Sequence, residues 1–203
     1  MPLIDMPLEE LKEYQGINPR PDDFDSYWDR ALSEMKALNG EFELVKSEFE
    51  VPYADCYHLY FNATGGARVH AQLLRPTQVE DIHPAVITFH GYSGNVGDWY
   101  NKLGYVAMGY TVAAMDCRGQ GGLSEDSGKL KGTTHRGHII RGIDDHPDAL
   151  LFRNIFLDTA QLAGIVMAMD DVDENRVGAM GGSQGGGLTL ACAALEPRIK
   201  LAA

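Results

Sequence analysis

The chain has few cysteines and no long apolar run. Its three cysteines, Cys56, Cys117 and Cys192, lie far apart and form no Cys-x-x-Cys pair. They therefore indicate neither a disulfide framework nor a zinc site. No apolar stretch approaches the roughly 18 residues of a membrane-spanning helix. The first residues lack the basic segment and apolar run of a secretory signal. These absences favour a soluble cytoplasmic protein that has no membrane partner.

Positive charge is also scarce. The 17 lysines and arginines are outnumbered by 29 aspartates and glutamates, so the net charge is −12. This balance argues against nucleic acid or an anionic membrane as a partner, because both carry negative charge. The apolar fraction of 44% and the length of 203 residues fit one α/β domain with a core.

Residues 1–40 predict a helical extension that precedes the main domain. A short helix is expected from Pro7 to Tyr14, with Gly16 as its stop. A second helix is expected over Phe24–Leu38, where apolar residues recur every three or four positions before Gly40. Residues 41–203 then form the predicted core domain.

The first part of the core domain predicts antiparallel strands. Its β-branched and aromatic residues are concentrated in three segments, with a glycine turn at 63–66 joining the last two as a hairpin: 42–51, 57–62 and 68–74. His58 and His70 lie in these segments, and structural roles are expected for both.

From Pro84 onwards, strand and helix patterns alternate. The expected strands are 85–89, 110–115, 177–180 and one beginning at 200; the expected helices are 100–108, 152–169 and 184–195. This alternation predicts an α/β fold with a mostly parallel sheet that binds ligands at the carboxyl ends of its strands. The long glycine-rich loop at 117–147 is of the kind that is usually functional or disordered.

The segment around Ser183 carries the strongest chemical signal. Gly181-Gly-Ser-Gln-Gly185 fits G-x-S-x-G, the nucleophile elbow of α/β-hydrolases, between an apolar strand and a helix. The glycines are needed because strand and helix pass close together there. The start of the helix presents backbone N–H groups that favour negative charge on a bound carbonyl oxygen.

A second segment, His90-Gly-Tyr-Ser-Gly94, follows the first strand of the alternating part. It lies where such enzymes place one oxyanion-hole donor, the other being the N–H of the residue after the nucleophile. We therefore expect the N–H groups of Tyr92 and Gln184 to be the two donors, and the Tyr92 ring could line an acyl pocket. His90 is favoured as a structural residue.

A third segment, Asp116-Cys-Arg-Gly-Gln-Gly-Gly122, ends the next strand. Arg118 is expected to pin this loop through hydrogen bonds to a carboxylate, as a scaffold residue. Asp116 fits a triad acid less well, because in this fold the acid follows the serine along the chain.

Together these segments resemble one family, the acetyl xylan esterases and cephalosporin C deacetylases, which are carbohydrate esterases. The resemblance rests on four segments: His90–Gly94, Asp116–Gly122, His138–Gly142 and Gly182–Gly187. It implies an α/β-hydrolase fold, with Ser183 as nucleophile and the N–H groups of Tyr92 and Gln184 as the oxyanion hole. It also implies no metal or organic cofactor, and a homo-hexamer whose active sites face an internal cavity that admits small acetylated carbohydrates.

The chain departs from the family pattern after Ser183. Family members have about a hundred further residues that supply the triad Asp and His, whereas the 20 residues after Ser183 contain neither. The expectation is a chain whose C-terminal part is missing, which by itself has very low activity and exposes a strand edge. A rearranged triad using His135, His138 or His146 stays open, as does ordinary loop hydrogen bonding for these residues.

The leading hypothesis is a serine carboxylesterase that deacetylates small acetylated xylo-oligosaccharides and cephalosporin C. Two alternatives stay open. One is another α/β-hydrolase activity, such as a peptidase or a lactone hydrolase. The other is a catalytically incomplete piece that acts only through binding or assembly.

Overall fold

A computed structural model of the chain describes residues 6–79, 82–126 and 139–203. Within these ranges the strands are β1 Phe42–Lys46, β2 Ala54–Ala63, β3 Ala67–Pro76, β4 His83–Phe89, β5 Thr111–Met115, β6 Val172–Gly181 and β7 Leu201–Ala202. The helices are α1 Leu8–Glu13, α2 Phe24–Lys36, α3 Leu103–Ala107, α4 Leu151–Met167 and α5 Gln184–Leu195. Short 3₁₀ turns occupy Thr64–Gly66, Trp99–Lys102 and Pro147–Ala149.

The strands form one mixed sheet in the order β1-β2-β3-β5-β4-β6-β7. The pairs from β1 to β5 are antiparallel, and the pairs from β5 to β7 are parallel. The predicted hairpin is present, because the turn Thr64–Gly66 joins β2 to β3. Gly65 and Gly66 have φ values of 72° and 79°, which explains the need for glycine in this turn.

The parallel strands end level with one another. Phe89 at the end of β4 pairs with Met115 of β5 on one side and with Gly181 of β6 on the other. The loops that follow these three strands therefore leave the sheet at the same edge. They are the loops that carry the three chemically marked segments of the sequence.

Helices cover both faces of the sheet. Alternate strand residues, such as Ile87 and Val86, point to opposite faces and belong to separate apolar clusters. One face packs against α4 and α5, and the other against α3. The continuous apolar runs of β4 and β5 follow from this burial on both faces.

The helical extension is only partly packed on the core domain. Ala31 and Met35 of α2 are buried against Leu157 and Ala160 of α4. The six residues of α1 include no buried side chain. The domain boundary at residue 40 stays a prediction.

Some predicted boundaries were wrong. The strand expected over 42–51 stops at Lys46, because the hydroxyl oxygen of Ser47 accepts a hydrogen bond from the N–H of Phe49 and turns the chain. The helix expected over 100–108 is divided into a 3₁₀ turn and the short α3. The strand before Ser183 begins at Val172, five residues before its predicted start.

At the far side of the sheet, β7 confirms the strand expected near residue 200. It pairs with β6, and the Leu201 side chain is 78% exposed. Within the described ranges no strand pairs with the outer edge of β7, as the sequence led us to expect. No helix in the described parts of the chain has both the length and the apolar character needed to cross a membrane.

Candidate active site

Ser183 lies at the tight junction between β6 and α5. Its backbone dihedrals are φ 57° and ψ −122°, a conformation that residues other than glycine rarely adopt. Such a conformation costs about 1–3 kcal/mol and persists only where the surrounding structure imposes it. The side chain is exposed at the carboxyl edge of the sheet. The sequence therefore predicted the place and the shape of the elbow correctly.

Two glycines make this junction possible. A Cβ atom on Gly181 would lie 2.6 Å from the carbonyl oxygen of Gly185 and 2.7 Å from that of Phe89. A Cβ atom on Gly185 would lie 2.2 Å from the same Phe89 oxygen. By contrast, a Cβ atom on Gly182 would meet nothing within 4 Å. Only positions i−2 and i+2 of the elbow therefore require the absence of a side chain.

The loop after β4 runs beside Ser183. A Cβ atom on Gly91 would lie 4.0 Å from the Ser183 Cβ. The N–H of Gly94 donates to the carbonyl oxygen of Gly91 at 3.1 Å, which closes a turn with Tyr92 and Ser93 at its centre. The structure thus brings together the elements that carry the three predicted site residues, Ser183, Tyr92 and Gln184. Their chemical roles stay predictions.

His90 joins two loops and is placed as a structural residue. Its Nδ1–H donates to the Gly91 carbonyl oxygen at 2.8 Å, and its Nε2 accepts from the Cys117 N–H at 3.0 Å. With both nitrogens occupied, the ring has no free acceptor that could take a proton from Ser183. Burial raises the pKa of the Cys117 thiol far above its ordinary value, so this cysteine is not a rival nucleophile.

Asp116 holds the neighbouring loops in place. Its carboxylate accepts from His70 Nδ1 at 2.6 Å, from the Val96 N–H at 2.8 Å and from the Leu123 N–H at 2.9 Å. Burial by itself would raise the pKa of Asp116, but these hydrogen bonds outweigh it and hold the pKa below the usual range. His70 Nε2 in turn contacts His58 Nδ1 at 2.8 Å. The carboxylate is thus engaged in a buried network that leads away towards β2.

Arg118 has the carboxylate partner that the sequence predicted, and that partner is Asp158 on α4. The Arg118 Nε donates to Asp158 Oδ2 at 2.7 Å, and the Nη2 donates to Oδ1. The Nη1 donates to the carbonyl oxygen of Thr64 at 2.8 Å. Both charged side chains are fully buried. Arg118 therefore ties the loop after β5 to α4 and to the hairpin turn.

Gln120 was not among the predicted site residues, yet it contacts both sides of the site. Its Oε1 accepts from the Ser93 N–H at 2.9 Å, and its Nε2 donates to Gln184 Oε1 at 2.9 Å. Gln120 lies among the glycines of the third segment, but nothing in that pattern indicates which residues its side chain contacts. Its partners are 27 and 64 residues away along the chain.

A family model described as acetyl xylan esterase (AXE1) matches residues 1–203, which is the whole chain. The chain belongs to the acetyl xylan esterase family. The resemblance noted from the four sequence segments is confirmed.

The similarity to individual proteins supports this family assignment. The chain is 62% identical to acetyl xylan esterase 1 from Thermoanaerobacterium sp. JW/SL YS485, with a TM-score of 0.90 over 97% of this chain and 62% of that one. It is 32% identical to an acetyl xylan esterase from Paenibacillus sp. R4, with a TM-score of 0.81 over 96% of this chain and 62% of that one. The acetyl esterase Axe7A of Xylanibacter ruminicola is 24% identical over 94% of this chain and 44% of its own length.

These matches support the fold and show how much of each relative's length the chain spans. The chain has the α/β-hydrolase fold, with a mixed sheet flanked by helices. It spans about 62% of the length of the two solved relatives and 44% of the curated one.

Of the three histidines considered for a rearranged triad, His146 lies within the described residues. His135 and His138, with positions 127–138 of the long loop, lie outside the described residues. The His146 side chain is 69% exposed, and its Nδ1 accepts from the Asp148 N–H at 3.3 Å at the start of the Pro147–Ala149 turn. His146 is thus engaged in local capping.

Breaking the buried ion pair between Arg118 and Asp158 is expected to destabilise the fold strongly. Asp158→Ala leaves the Arg118 guanidinium buried and unpaired, which typically costs about 3–5 kcal/mol. Urea denaturation of the variant and the parent protein measures this difference. Lys12→Ala is the control, because it removes an exposed ion pair with Glu9 and should change stability by less than about 0.5 kcal/mol. Equal small losses in both variants would contradict the scaffold role of Arg118.

Proposed function

We propose that the chain carries the nucleophile and oxyanion hole of a serine carboxylesterase. In this proposal the enzyme removes acetyl groups from small acetylated xylo-oligosaccharides and from cephalosporin C. The observation that carries the proposal is the strained, exposed Ser183 at φ 57°, between Gly181 and Gly185, where any Cβ atom would clash with the Phe89 carbonyl oxygen. A strained backbone conformation persists only where the surrounding structure imposes it. Such strain at an exposed serine between a strand and a helix is typical of the nucleophile of α/β-hydrolases.

The proposed reaction proceeds through an acyl-enzyme. The Ser183 Oγ attacks the acetyl carbonyl carbon, and the carbonyl oxygen becomes an oxyanion in front of the N–H groups of Tyr92 and Gln184. The ester C–O bond of this intermediate then breaks, and the leaving alcohol oxygen takes the proton that the Ser183 hydroxyl gave up to a general base. Water attacks the acetyl-serine ester and releases acetate. A histidine base and an aspartate complete such a triad, and residues 184–203 contain neither Asp nor His.

The electrostatic setting of Ser183 supports charge development at this edge. The serine directly precedes α5, which presents the positive end of its dipole there. The removal of one oxyanion-hole donor typically lowers kcat by 10²–10³-fold. Two such donors, in the loop after β4 and at the start of α5, would therefore provide much of the rate acceleration.

Assembly and location are part of the proposal. On the family resemblance we propose a cytoplasmic homo-hexamer whose internal cavity restricts access to small substrates. We also propose that residues 1–40 form an extension to the core in 41–203. The 203-residue chain by itself should have activity several orders of magnitude below that of an enzyme with a complete triad.

The test uses the full-length gene product. Acetate release should be fast from acetylated xylobiose and from cephalosporin C, slower from acetylated polymeric xylan, and undetectable in a Ser183→Ala variant. An aminoacyl amide and a lactone are the comparison substrates. Preferred turnover of either would replace the proposal with a peptidase or a lactone hydrolase. No Ser183-dependent turnover of any substrate would support a role limited to binding or assembly.

A further inference from the structure

We propose that Gln120 is a positioning residue of the oxyanion hole, because its side-chain amide fixes both backbone segments that carry the donors. The inference rests on the proposed esterase function and adds a residue to that site. Gln120 lies in the loop after β5, so a third loop would determine the geometry between the other two.

The first contact is with the residue after the candidate nucleophile. The Gln120 Nε2 donates to Gln184 Oε1 at 2.9 Å, and the Gln184 Nε2 donates back to Gln120 Oε1 at 3.1 Å. Both side chains are partly buried in this reciprocal amide pair. Gln184 is the first residue of α5, so the pair restrains the helix start whose N–H is the candidate donor.

The second contact is with the turn that contains Tyr92. The Ser93 N–H donates to Gln120 Oε1 at 2.9 Å, and Ser93 has a φ of 58°. A positive φ at the third residue of a turn is typical of type II turns, where glycine is normally found. A type I turn, reached by rotating the Tyr92–Ser93 peptide, would give Ser93 an ordinary negative φ. The bond to Gln120 holds the N–H of that peptide in its present direction and so opposes the rotation.

The backbone of Gln120 is held independently of its side chain. The Gly121 N–H donates to the Gly94 carbonyl oxygen at 3.0 Å, and the Gln120 N–H donates to the Cys117 carbonyl oxygen at 3.3 Å. The ion pair of Arg118 anchors the same loop. Truncation of the Gln120 side chain should therefore leave the loop folded while it releases the two donor segments.

The chemistry of the contacts requires an amide at position 120. The oxygen must accept from Ser93 while the nitrogen donates to Gln184 Oε1. A glutamate has nearly the same shape and keeps the acceptor, but its ionised carboxylate has no proton to donate and faces the Gln184 oxygen. Protonation of that glutamate restores an O–H donor.

The experiment compares Gln120→Ala, Gln120→Glu and Gln15→Ala in the full-length enzyme, with p-nitrophenyl acetate as substrate and sites counted by an organophosphonate. We expect kcat per titrated site to fall about 10–100-fold in Gln120→Ala, while KM changes less than about threefold and the melting temperature changes little. Gln15 is exposed and donates to the nearby Glu13 carbonyl oxygen, so Gln15→Ala should match the parent protein.

The pH profile and a double variant separate positioning from general stability. Relative to the parent protein at the same pH, the activity of Gln120→Glu should rise as the pH falls from 8 to 5.5. The losses in Gln120→Ala and Gln184→Ala should not add in the double variant, because the two side chains act as one pair.

The outcomes distinguish this inference from the function it rests on. If activity depends on Ser183 but both Gln120 variants keep the parent kcat, the positioning role is overturned and the esterase stands. A fall in melting temperature with unchanged kcat per site would also overturn it. If Ser183→Ala keeps full activity, the proposed function fails and the positioning role fails with it.

Discussion

Replacement of Ser183 by glycine is expected to abolish acetate release and at the same time stabilise the fold by about 1 kcal/mol. The stabilisation follows from the backbone, because glycine adopts φ 57° without the strain that serine suffers there. Ser183 precedes α5 but makes no side-chain capping bond, so the change removes no helix cap. The added freedom of glycine in the unfolded chain reduces the gain but does not cancel it.

The loss of activity should be at least about 10⁴-fold, since removal of a serine nucleophile leaves only binding and oxyanion stabilisation. Urea denaturation and acetate release measure the two effects on the same samples. Asn39→Gly is the matched control, because Asn39 also has a positive φ of 61° but lies after α2. It should relieve some strain and keep full activity. A destabilised Ser183→Gly variant, or one with substantial activity, would contradict the interpretation of this junction.

Substitution of Gly185 by alanine should be among the most damaging single-methyl additions in the chain. The new Cβ atom would lie 2.2 Å from the Phe89 carbonyl oxygen and 2.9 Å from its carbon, which are backbone atoms at the end of β4. Because neither β4 nor α5 can move without disturbing the elbow, we expect a loss of about 3 kcal/mol, at the upper end for overpacking. Displacement of α5 would also move the Gln184 N–H, so activity should fall more than 100-fold.

Gly187→Ala is the control for this prediction. Gly187 lies in the same helix, but a Cβ atom there would meet nothing within 4 Å. Alanine favours a helix interior over glycine by about 0.5–1 kcal/mol, so Gly187→Ala should be stable and active. Thermal unfolding and acetate release of the full-length variants test the pair. Similar behaviour of the two alanine variants would show that the close approach of β4 and α5 is not rigid.

Much of this site could be predicted from the sequence because its signals are local. The G-x-S-x-G segment lies between a buried strand and a helix, and the glycines at 181 and 185 are required by contacts that the pattern itself implies. The apolar runs of β4 and β5 predicted strands buried on both faces, which are present. Because these strands end at the same edge of the sheet, the segments around Tyr92, Arg118 and Ser183 lie close together.

The features that were missed depend on distant partners. Nothing local identifies Asp158 as the partner of Arg118, because 40 residues separate them and the aspartate lies within a largely apolar helix. The contacts of Gln120 with Ser93 and Gln184 arise only when three loops meet. The early end of β1 came from one side-chain bond at Ser47, which competes with strand pairing in a way that composition does not reveal.

We propose above all that Ser183 is the nucleophile of an acetyl esterase. The most direct test is mass spectrometry of the full-length protein after inactivation by an organophosphonate, with Ser183→Ala treated in parallel. We predict one phosphonate adduct, on the peptide that contains Ser183, formed in step with the loss of acetate release and absent from the variant. An adduct on another serine, or complete inactivation with Ser183 unmodified, would contradict the claim.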